Sequence, residues 1–380
     1  MRSISWRYFD FWLLGTVIVL TIFGITMIRS AIAGNIELIN QNTVQKQIIF
    51  GIAGLFVLML MAAIDYRLLS AISKFLYVGI ILLLVILILF GDSLFGSARW
   101  FRLGPILIQP SELSKIVVII VLSDYFAHSQ GEAHDIKWLL KSLIIVFGLA
   151  IWILLQPDLS TSIVIFAIWF AMIWIAGLQI KHLLIASGIG VFGGGLGLLY
   201  LLTNYDPNQE SGLIKPYQVE RIINFFFPNP NATHGAIYNV QQALVSIGSG
   251  GWFGKGYGSG SQVQLRFLKV RHSDFIFSAL SEEFGFVGTV IVIALLLFVI
   301  LRCIHVARIS SDTFGALLSY GVATLIAFQA IVNIGMNLNL LPVTGLTLPF
   351  ISYGGSSLLS NLLGIGIVES VALRQKSLEF

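Results

Sequence analysis

The chain has 380 residues, of which 57% are hydrophobic and 11% are charged, and its formal net charge is +4. A mean hydropathy of +0.91 excludes an ordinary soluble domain, because so few polar residues cannot cover so much apolar surface. The composition therefore predicts a polytopic membrane protein. Cys303 is the only cysteine, which excludes an intrachain disulfide and a thiolate metal cluster.

Apolar runs close to the roughly 20 residues that cross a bilayer recur along the whole chain. They lack period-two alternation, which favours helices over barrel strands. The predicted fold is therefore an all-α polytopic membrane protein with about ten transmembrane helices. We place them at 10–29, 47–64, 73–90, 111–127, 139–155, 160–178, 182–202, 280–301, 313–338 and 346–370. This pattern indicates one transmembrane domain over 1–380, with helices 1–7 in 10–202, an extracytoplasmic loop at 203–274 and helices 8–10 in 275–372.

Lysine and arginine residues are concentrated in alternate short connections, which predicts the orientation of the chain. Both termini and the basic connections are expected in the cytoplasm, and the long loop outside. Because this bias accounts for most of the net charge, no nucleic-acid partner is expected. The first run follows Arg2 and Arg7 without a small-residue cleavage site, so we interpret it as an anchor and not a signal peptide.

The long loop contains an apolar helical stretch at 238–247 and then a glycine-rich segment, residues 248–260. The first feature predicts an amphipathic segment that lies at the membrane interface. The second lacks the spacing of known phosphate-binding glycine motifs. Two interpretations of it remain: a tight turn that needs positive φ angles, or a nest of backbone amides that binds a pyrophosphate together with Lys255.

Two predicted helices begin with a glutamine–proline pair. In the first, Pro110 suits the first helical position, and Glu112 and Lys115 are neighbours on one face. That charged pair is either a structural clamp or part of a substrate cavity. In the second, Asp158 complements the positive end of the helix dipole, as a capping residue or as part of a catalytic site. Two prolines also interrupt residues 341–357, which predicts broken backbone that lines a cavity or packs closely against other helices.

The long loop ends in a concentration of ionisable residues. Arg271, His272 and Asp274 precede the eighth span, and Glu282 and Glu283 follow eight and nine residues after Asp274. Charged groups at such a depth are costly and mark functional sites. Neighbouring cations are expected to lower the pKa of Asp274 and burial to raise it. The two glutamates lie roughly 12–14 Å further along a helix, too far for a local carboxylate pair.

Several motifs together resemble the SEDS proteins (shape, elongation, division and sporulation). They are QPSE at 109–112, QPDL at 156–159, RHSDF at 271–275, EEFG at 282–285 and LPFISYGGS at 348–356. The similarity runs in order along the whole chain. Residues 333–336 and the short amino terminus resemble the elongation member, RodA, more than the division member, FtsW.

The resemblance implies a peptidoglycan glycosyltransferase that polymerises lipid II, undecaprenyl-pyrophosphoryl disaccharide-pentapeptide, during cell elongation. It implies a bacterial cytoplasmic membrane protein with its active site on the extracytoplasmic face. A class B penicillin-binding protein, which is a transpeptidase, and other elongation-complex membrane proteins are the expected partners. A lipid II flippase, an FtsW-like division polymerase and a non-catalytic scaffold are the alternatives.

The family's essential aspartate falls on Asp274, with Ser273 where the family pattern has threonine. Direct displacement of a lipid pyrophosphate inverts the anomeric carbon and needs one base, and Asp274 is our candidate. It is alternatively a ligand for a divalent cation, Mg²⁺ or Mn²⁺, that bridges the pyrophosphate; no dedicated metal site is predicted. Arg221 is carried over from a looser family match. The predicted substrate-binding residues are Glu112, Lys115, Asp158, Arg221, Lys255, Arg271, His272, Ser352 and Tyr353.

Overall fold

A computed structural model describes residues 6–90, 92–94, 97–103, 106–129, 136–178, 188, 216–227 and 235–375. After a short 3₁₀ turn, the helices in these ranges are α1 (Phe11–Ala31), α2 (Ile36–Asn40), α3 (Thr43–Ala63), α4 (Arg67–Phe90), α5 (Pro110–His128), α6 (Ile136–Leu155), α7 (Leu159–Ile175), α8 (Pro216–Phe226), α9 (Gly235–Ser249), α10 (Ser261–Gln264), α11 (Ile276–Ile309), α12 (Thr313–Asn337) and α13 (Gly355–Ala372). Between α4 and α5, β1 (Asp92–Leu94), β2 (Ser97–Leu103) and β3 (Ile106–Ile108) form an antiparallel sheet of three strands.

The helices confirm an all-α polytopic membrane protein. Within the described part of the chain, α1, α3, α4, α6, α11, α12 and α13 are long and apolar enough to cross a membrane, and α7 is a shorter apolar helix. Helix α5 coincides with the fourth predicted span and carries Glu112, Lys115 and Asp124. The predicted span at 182–202 lies outside the described residues. The last span was predicted to begin at residue 346, but α13 begins at Gly355.

Contacts between distant helix ends define two ends of the bundle. At one, which we call the basic end, Arg302 near the end of α11 binds Asp10 before α1, with 2.6 Å between Nη2 and Oδ2. Arg67 at the start of α4 binds Asp312 before α12 at 3.0 Å. At the other, which we call the loop end, Arg271 donates to the carbonyl of Ala31 at the end of α1. Helices α1, α4 and α12 therefore begin at the basic end, and α11 runs in the opposite direction.

Helices α12 and α13 lie at the centre of the bundle. Helix α12 packs against α5, α7, α11 and α13, and α13 packs along α3. The approach of α13 to α3 depends on Gly366, where an added Cβ would lie 2.6 Å from the carbonyl oxygen of Leu58. Without a hydrophobic driving force between helices in lipid, such close backbone contact is a main source of association.

The glycine-rich segment supplies hydrogen bonds to the backbone groups at a break in α11. At Gly285 the helix is interrupted by φ 67° and ψ −165°, a conformation that glycine adopts without steric cost. The carbonyls of 282 and 283 accept hydrogen bonds from the backbone amides of 255 and 256, at 3.0 Å each, and the amides of 286 and 287 donate to the carbonyls of 251 and 252. Four groups left open by the break are thereby satisfied, as hydrocarbon surroundings require.

Candidate active site at the loop end

Asp274 is held at the start of α11 through its main chain. Its carbonyl oxygen accepts hydrogen bonds from the side-chain amides of Asn333 at 3.1 Å and Asn337 at 3.0 Å. The side-chain oxygen of Asn337 in turn accepts from the amide of Ser278 at 3.2 Å and from its hydroxyl at 2.6 Å. Two asparagines one turn apart on α12 thus fix the position of Asp274 without using its carboxylate.

The connection between α12 and α13, residues 338–354, brings the predicted motifs together; we call it the interhelical segment. Its Thr344 carbonyl accepts from Nη1 of Arg221 at 3.1 Å and from the hydroxyl of Ser160 at the start of α7. Asn333 also donates to the carbonyl of Leu346 at 2.7 Å. The segment has no helix or strand, so its backbone groups are available to these side chains.

Arg221 and Asp274 meet at Gly345 in the interhelical segment. A Cβ added at Gly345 would lie 3.6 Å from Oδ2 of Asp274 and 3.9 Å from Nη1 of Arg221. The φ angle of Gly345 is 80°, in the left-handed region that glycine occupies most readily. The glycine therefore leaves the space in which a guanidinium and a carboxylate face the same point.

Burial raises the pKa of Asp274, and this effect outweighs the hydrogen bond from Ser273 and the positive charge of Arg221, which both lower it. The sequence predicted that Arg271 and His272 would lower this pKa, and that part of the prediction is wrong. The Arg271 side chain is buried and donates to the carbonyls of Ala31 and Leu268. Burial and the neighbouring Arg271 lower the pKa of His272 to about 4, so the ring is neutral at neutral pH.

Ser352 and Tyr353 lie beside Asp274 but bind the main chain. The hydroxyl of Ser352 donates to the carbonyl of Ser273 at 2.7 Å, and the amide of Tyr353 donates to the carbonyl of His272 at 2.9 Å. The rings of His272 and Tyr353 are 5.7 Å apart. Gln47 of α3 holds the same turn by donating to the carbonyl of Ser352 at 3.3 Å. These contacts fix the backbone that precedes Asp274.

The residues at the two glutamine–proline helix starts form a second polar cluster. Nζ of Lys115 lies 2.6 Å from Oε2 of Glu112, and both side chains are buried, which confirms the predicted pair. Asp158 caps α7 by accepting from the amide of Thr161 at 3.2 Å. Its Oδ2 also accepts from Ser111 at the start of α5 at 3.1 Å. The cluster joins the active-site region through Ser160, two residues after Asp158.

Lys255 does not lie free in a phosphate nest. Its Nζ is 2.7 Å from Oε1 of Glu282 and 2.7 Å from the hydroxyl of Ser261. Positive φ angles at 251, 254, 256 and 258 confirm the interpretation of the glycine-rich segment as a series of tight turns. Lys255 holds that segment on α11 through Glu282.

A cavity of about 270 Å³ lies next to Arg221. It is enclosed by α8, α9 and the interhelical segment, and three side-chain amides, those of Asn224, Gln241 and Asn339, contribute to its lining. Phe225, Leu244 and Leu341 are among its apolar walls. Amide groups beside apolar walls suit a ligand with hydroxyl and amide groups.

Comparison with known proteins agrees with this arrangement. Residues 11–377 match the family FtsW/RodA/SpoVE, described as "Cell cycle protein". The chain belongs to this family, the SEDS proteins. It is 33% identical to "Probable peptidoglycan glycosyltransferase FtsW" of Coxiella burnetii, over 97% of each chain. It is 34% identical to "Peptidoglycan glycosyltransferase MrdB" of Escherichia coli K12, over 86% of this SEDS chain and 84% of the relative.

Two solved structures resemble the SEDS chain over nearly its full length. One is described as "Structural coordination of polymerization and crosslinking by a peptidoglycan synthase complex", with a TM-score of 0.79 and 27% identity over 97% of this chain and 99% of that one. The other is the rod shape determining protein RodA of Thermus thermophilus, with a TM-score of 0.70 and 28% identity over 98% and 99%. The helical fold is thus the same.

The residues that sequence reasoning missed are the ones that position Asp274. Asn333 was noted only within the motif at 333–336, and Asn337, Gln47, Ser160 and Thr344 were not singled out. One signal was present: two asparagines at i and i+4 in a membrane-spanning helix, which is costly in hydrocarbon unless the amides have partners. The partners themselves lie 59 and 63 residues away in the chain.

Proposed function

We propose that this chain is a peptidoglycan glycosyltransferase that polymerises lipid II at the loop end of the bundle. The observation that carries the proposal is Asp274: a half-buried carboxylate of raised pKa, fixed by its main chain and facing Arg221. A general base works best with a pKa closer to the working pH than that of an ordinary carboxyl group. The relatives that bear the name peptidoglycan glycosyltransferase support the reaction class.

In the proposed reaction, the hydroxyl of one sugar attacks the anomeric carbon of another that carries the lipid pyrophosphate. Asp274 accepts the hydroxyl proton as the new glycosidic bond forms and the bond to the pyrophosphate oxygen breaks. A single displacement of this kind inverts the anomeric carbon, so a second carboxylate is not required. Arg221 is placed to stabilise the charge that develops on the leaving pyrophosphate, for which a guanidinium is well suited.

The cavity beside Arg221 is the proposed place for part of a sugar–peptide unit. Its three amide side chains provide both donors and acceptors, and its apolar walls suit the carbon skeleton of such a unit. Since Arg221 lines the cavity and also faces Asp274, a group bound there lies next to the base. Glu112, Lys115 and Asp158 are proposed to contact the substrate from the α5 and α7 side.

A divalent cation is compatible with the proposed site. Among the residues that the structure describes, no three His, Cys, Asp or Glu side chains are grouped so as to hold a metal ion. Mg²⁺ is commonly held by one or two carboxylates together with substrate phosphates. Asp274 would be the protein ligand in that case, and the ion would supply positive charge to the pyrophosphate.

We further propose that the chain is a single transmembrane domain of the bacterial cytoplasmic membrane, with the loop end on the extracytoplasmic face. The distribution of lysine and arginine supports this orientation. A class B penicillin-binding protein is the proposed partner, because the structure with a TM-score of 0.79 is that of a peptidoglycan synthase complex. The similarity to RodA and the motif at 333–336 support a role in elongation. Relatives named FtsW make division the alternative.

The test is polymerisation of purified lipid II by the protein with its partner, comparing wild type with Asp274→Asn. Loss of a general base costs about 10²- to 10⁴-fold in rate, so glycan chains should disappear on the time scale of the assay. Translocation of lipid II across vesicles, measured in parallel, should not change. Polymerisation at the wild-type rate in Asp274→Asn would exclude Asp274 as the base, and loss of translocation alone would favour the flippase.

A further inference from the structure

A second cavity lies at the opposite end of the molecule from Asp274. It has a volume of about 590 Å³ and is enclosed by α4, α5 and α6. Lys74 is seven residues into α4 and Asp124 is four residues from the end of α5. At 1.5 Å per residue the cavity is within about 10 Å of the basic end of these helices. This is the depth of lipid headgroups at the edge of the hydrocarbon.

The interior of this cavity offers hydrogen-bond acceptors. Asp124 accepts from the hydroxyls of Ser70 at 2.5 Å and Ser73 at 2.8 Å. The hydroxyl of Tyr77 donates to the carbonyl of Ile145 at 2.8 Å. Because these hydroxyl protons are committed to protein oxygens, the oxygens that face the cavity can accept but not donate. A ligand that enters must therefore bring a donor, and the carboxylate favours a donor that is positively charged.

The rim of the cavity has the opposite character. Lys74 and Lys141 line it from α4 and α6, both side chains are exposed, and neither forms an ion pair with another described residue. His128 is also on the rim, where its side chain is 76% exposed and its Nδ1 lies 3.2 Å from Oδ1 of Asp124. The other carboxylate oxygen of Asp124, whose side chain is 17% exposed, accepts from Ser73. The charge thus changes from positive at the rim to negative inside. An anionic group is favoured at the rim and a cationic donor inside.

This arrangement matches one kind of membrane component. We propose that the cavity binds the phosphoethanolamine headgroup of a phospholipid from the leaflet at the basic end. The primary ammonium reaches Asp124, the phosphodiester lies between Lys74 and Lys141, and the acyl chains leave along the apolar wall that includes Val78. A quaternary choline headgroup has no N–H to donate. A glycerol headgroup can donate but lacks the positive charge.

The proposal predicts a lipid preference that binding measurements detect. The delipidated full-length protein in detergent is titrated with short-chain phosphatidylethanolamine, phosphatidylcholine and phosphatidylglycerol, and bound lipid is counted by native mass spectrometry. Phosphatidylethanolamine should bind about ten-fold more tightly than the other two, which corresponds to one charge-assisted hydrogen bond. Equal binding of all three lipids, or tighter binding of phosphatidylglycerol, would overturn the proposal.

Variants separate the two parts of the site. Lys74→Gln combined with Lys141→Gln should weaken binding of phosphatidylethanolamine and phosphatidylglycerol alike, because both lose the cations at the phosphate. Asp124→Asn should remove the preference for ethanolamine over choline. Arg308→Gln, which removes an exposed cation at the basic end of α11, is the control and should bind as wild type. If the double lysine variant, whose changes are on exposed side chains, retains full binding, the site is wrong whatever the Asp124 variant does.

The source of the headgroup is tested with soluble glycerophosphoethanolamine. It carries the same ammonium and phosphodiester but no acyl chains, so it should compete only at much higher concentration than the lipid. Competition at equal concentration would show that the cavity takes a soluble phosphoethanolamine and would overturn the assignment to a membrane lipid.

Discussion

Asp274 and Glu282 are two acidic residues eight positions apart, and the protein treats them in opposite ways. Glu282 is fully buried, and its carboxylate accepts from Lys255, from Ser261 and from the amides of Gln262 and Val263. Asp274 is fixed by its carbonyl oxygen, and its carboxylate faces Arg221 across Gly345. The structural acid is held by its side chain. The candidate catalytic acid is held by its backbone, and its carboxylate has the hydrogen bond from Ser273 and faces Arg221.

From this comparison we expect the largest loss of stability when Glu282 is replaced. Replacing Glu282 by Gln places amide hydrogens against the donors around it and leaves Lys255 without its carboxylate. The Lys255 side chain is 30% exposed, so the main cost comes from the buried donors that lose their acceptor. Such a loss costs about 1–3 kcal/mol, and the free energy of unfolding in detergent should fall by about that much. Asp274→Asn should change it little, because the asparagines on α12 still bind the carbonyl.

Glu37→Gln is the control for this measurement. Glu37 is an exposed carboxylate on the short helix α2, and surface changes of this kind stay within about 0.5 kcal/mol. A Glu282→Gln protein as stable as Glu37→Gln, but inactive, would reverse the comparison and move the chemistry to Glu282.

The second largest effect is expected at the two asparagines that bind the carbonyl of Asp274. Asn337→Ala removes one of the two amides that bind the Asp274 carbonyl and the acceptor of Ser278. A misplacement of about 1 Å in a reacting group can cost about 100-fold in rate, so kcat should fall by up to that factor. Asn361→Ala is the matched control, since Nδ2 of this buried asparagine has no hydrogen-bond partner among the described residues. Similar losses of kcat in both variants would contradict a positioning role for Asn337.

The sequence predicted the membrane-spanning helices better than the contacts within the site. Eight of the predicted spans coincide with described helices and a ninth overlaps α13, because crossing a bilayer requires length and hydrophobicity that composition reveals. The run at 346–370 was misplaced because Pro349 and the turn after it carry apolar residues without forming a helix, and α13 starts at Gly355. Hydropathy does not distinguish a buried extended segment from a helix.

Within the site, the sequence motifs predicted correctly which residues lie near Asp274. They predicted less well which contacts each of those residues makes. Arg271 is adjacent in sequence to His272, yet its side chain turns to Ala31, 240 residues away. Arg221, 53 positions before Asp274, supplies the charge that acts on it. Side-chain direction in a loop depends on tertiary contacts, so the nearest cation in sequence was the wrong one.

The third effect is on pH dependence and concerns Arg221. As a base, Asp274 works when deprotonated, so the polymerisation rate should fall on the acidic side of its pKa, which burial holds above the ordinary carboxyl value. Arg221→Gln removes a charge that lowers this pKa, and the acidic limb should move to higher pH by about one unit. Arg221→Lys keeps the charge and should leave the limb in place while slowing the reaction, because the planar guanidinium is lost. An acidic limb at the same pH in Arg221→Gln and in the wild type would show that the charge of Arg221 does not act on the pKa of Asp274.

The smallest effect is expected at Asp158, which shares features with both acids. It caps α7 through its carboxylate, as Glu282 holds the glycine-rich segment, but it also lies two residues from Ser160, which reaches the interhelical segment beside Asp274. Asp158→Ala should reduce the free energy of unfolding by about 1 kcal/mol, the usual value of an N-cap. Asp158→Asn should recover only part of it, because its side-chain oxygen still caps the helix while its amide group faces the donors of Gln109, Ser111 and Thr161 at the former Oδ2 position. If Asp158→Asn is nearly as stable as wild type but polymerises lipid II much more slowly, the negative charge itself acts on the substrate, and Asp158 belongs with Asp274 rather than with Glu282.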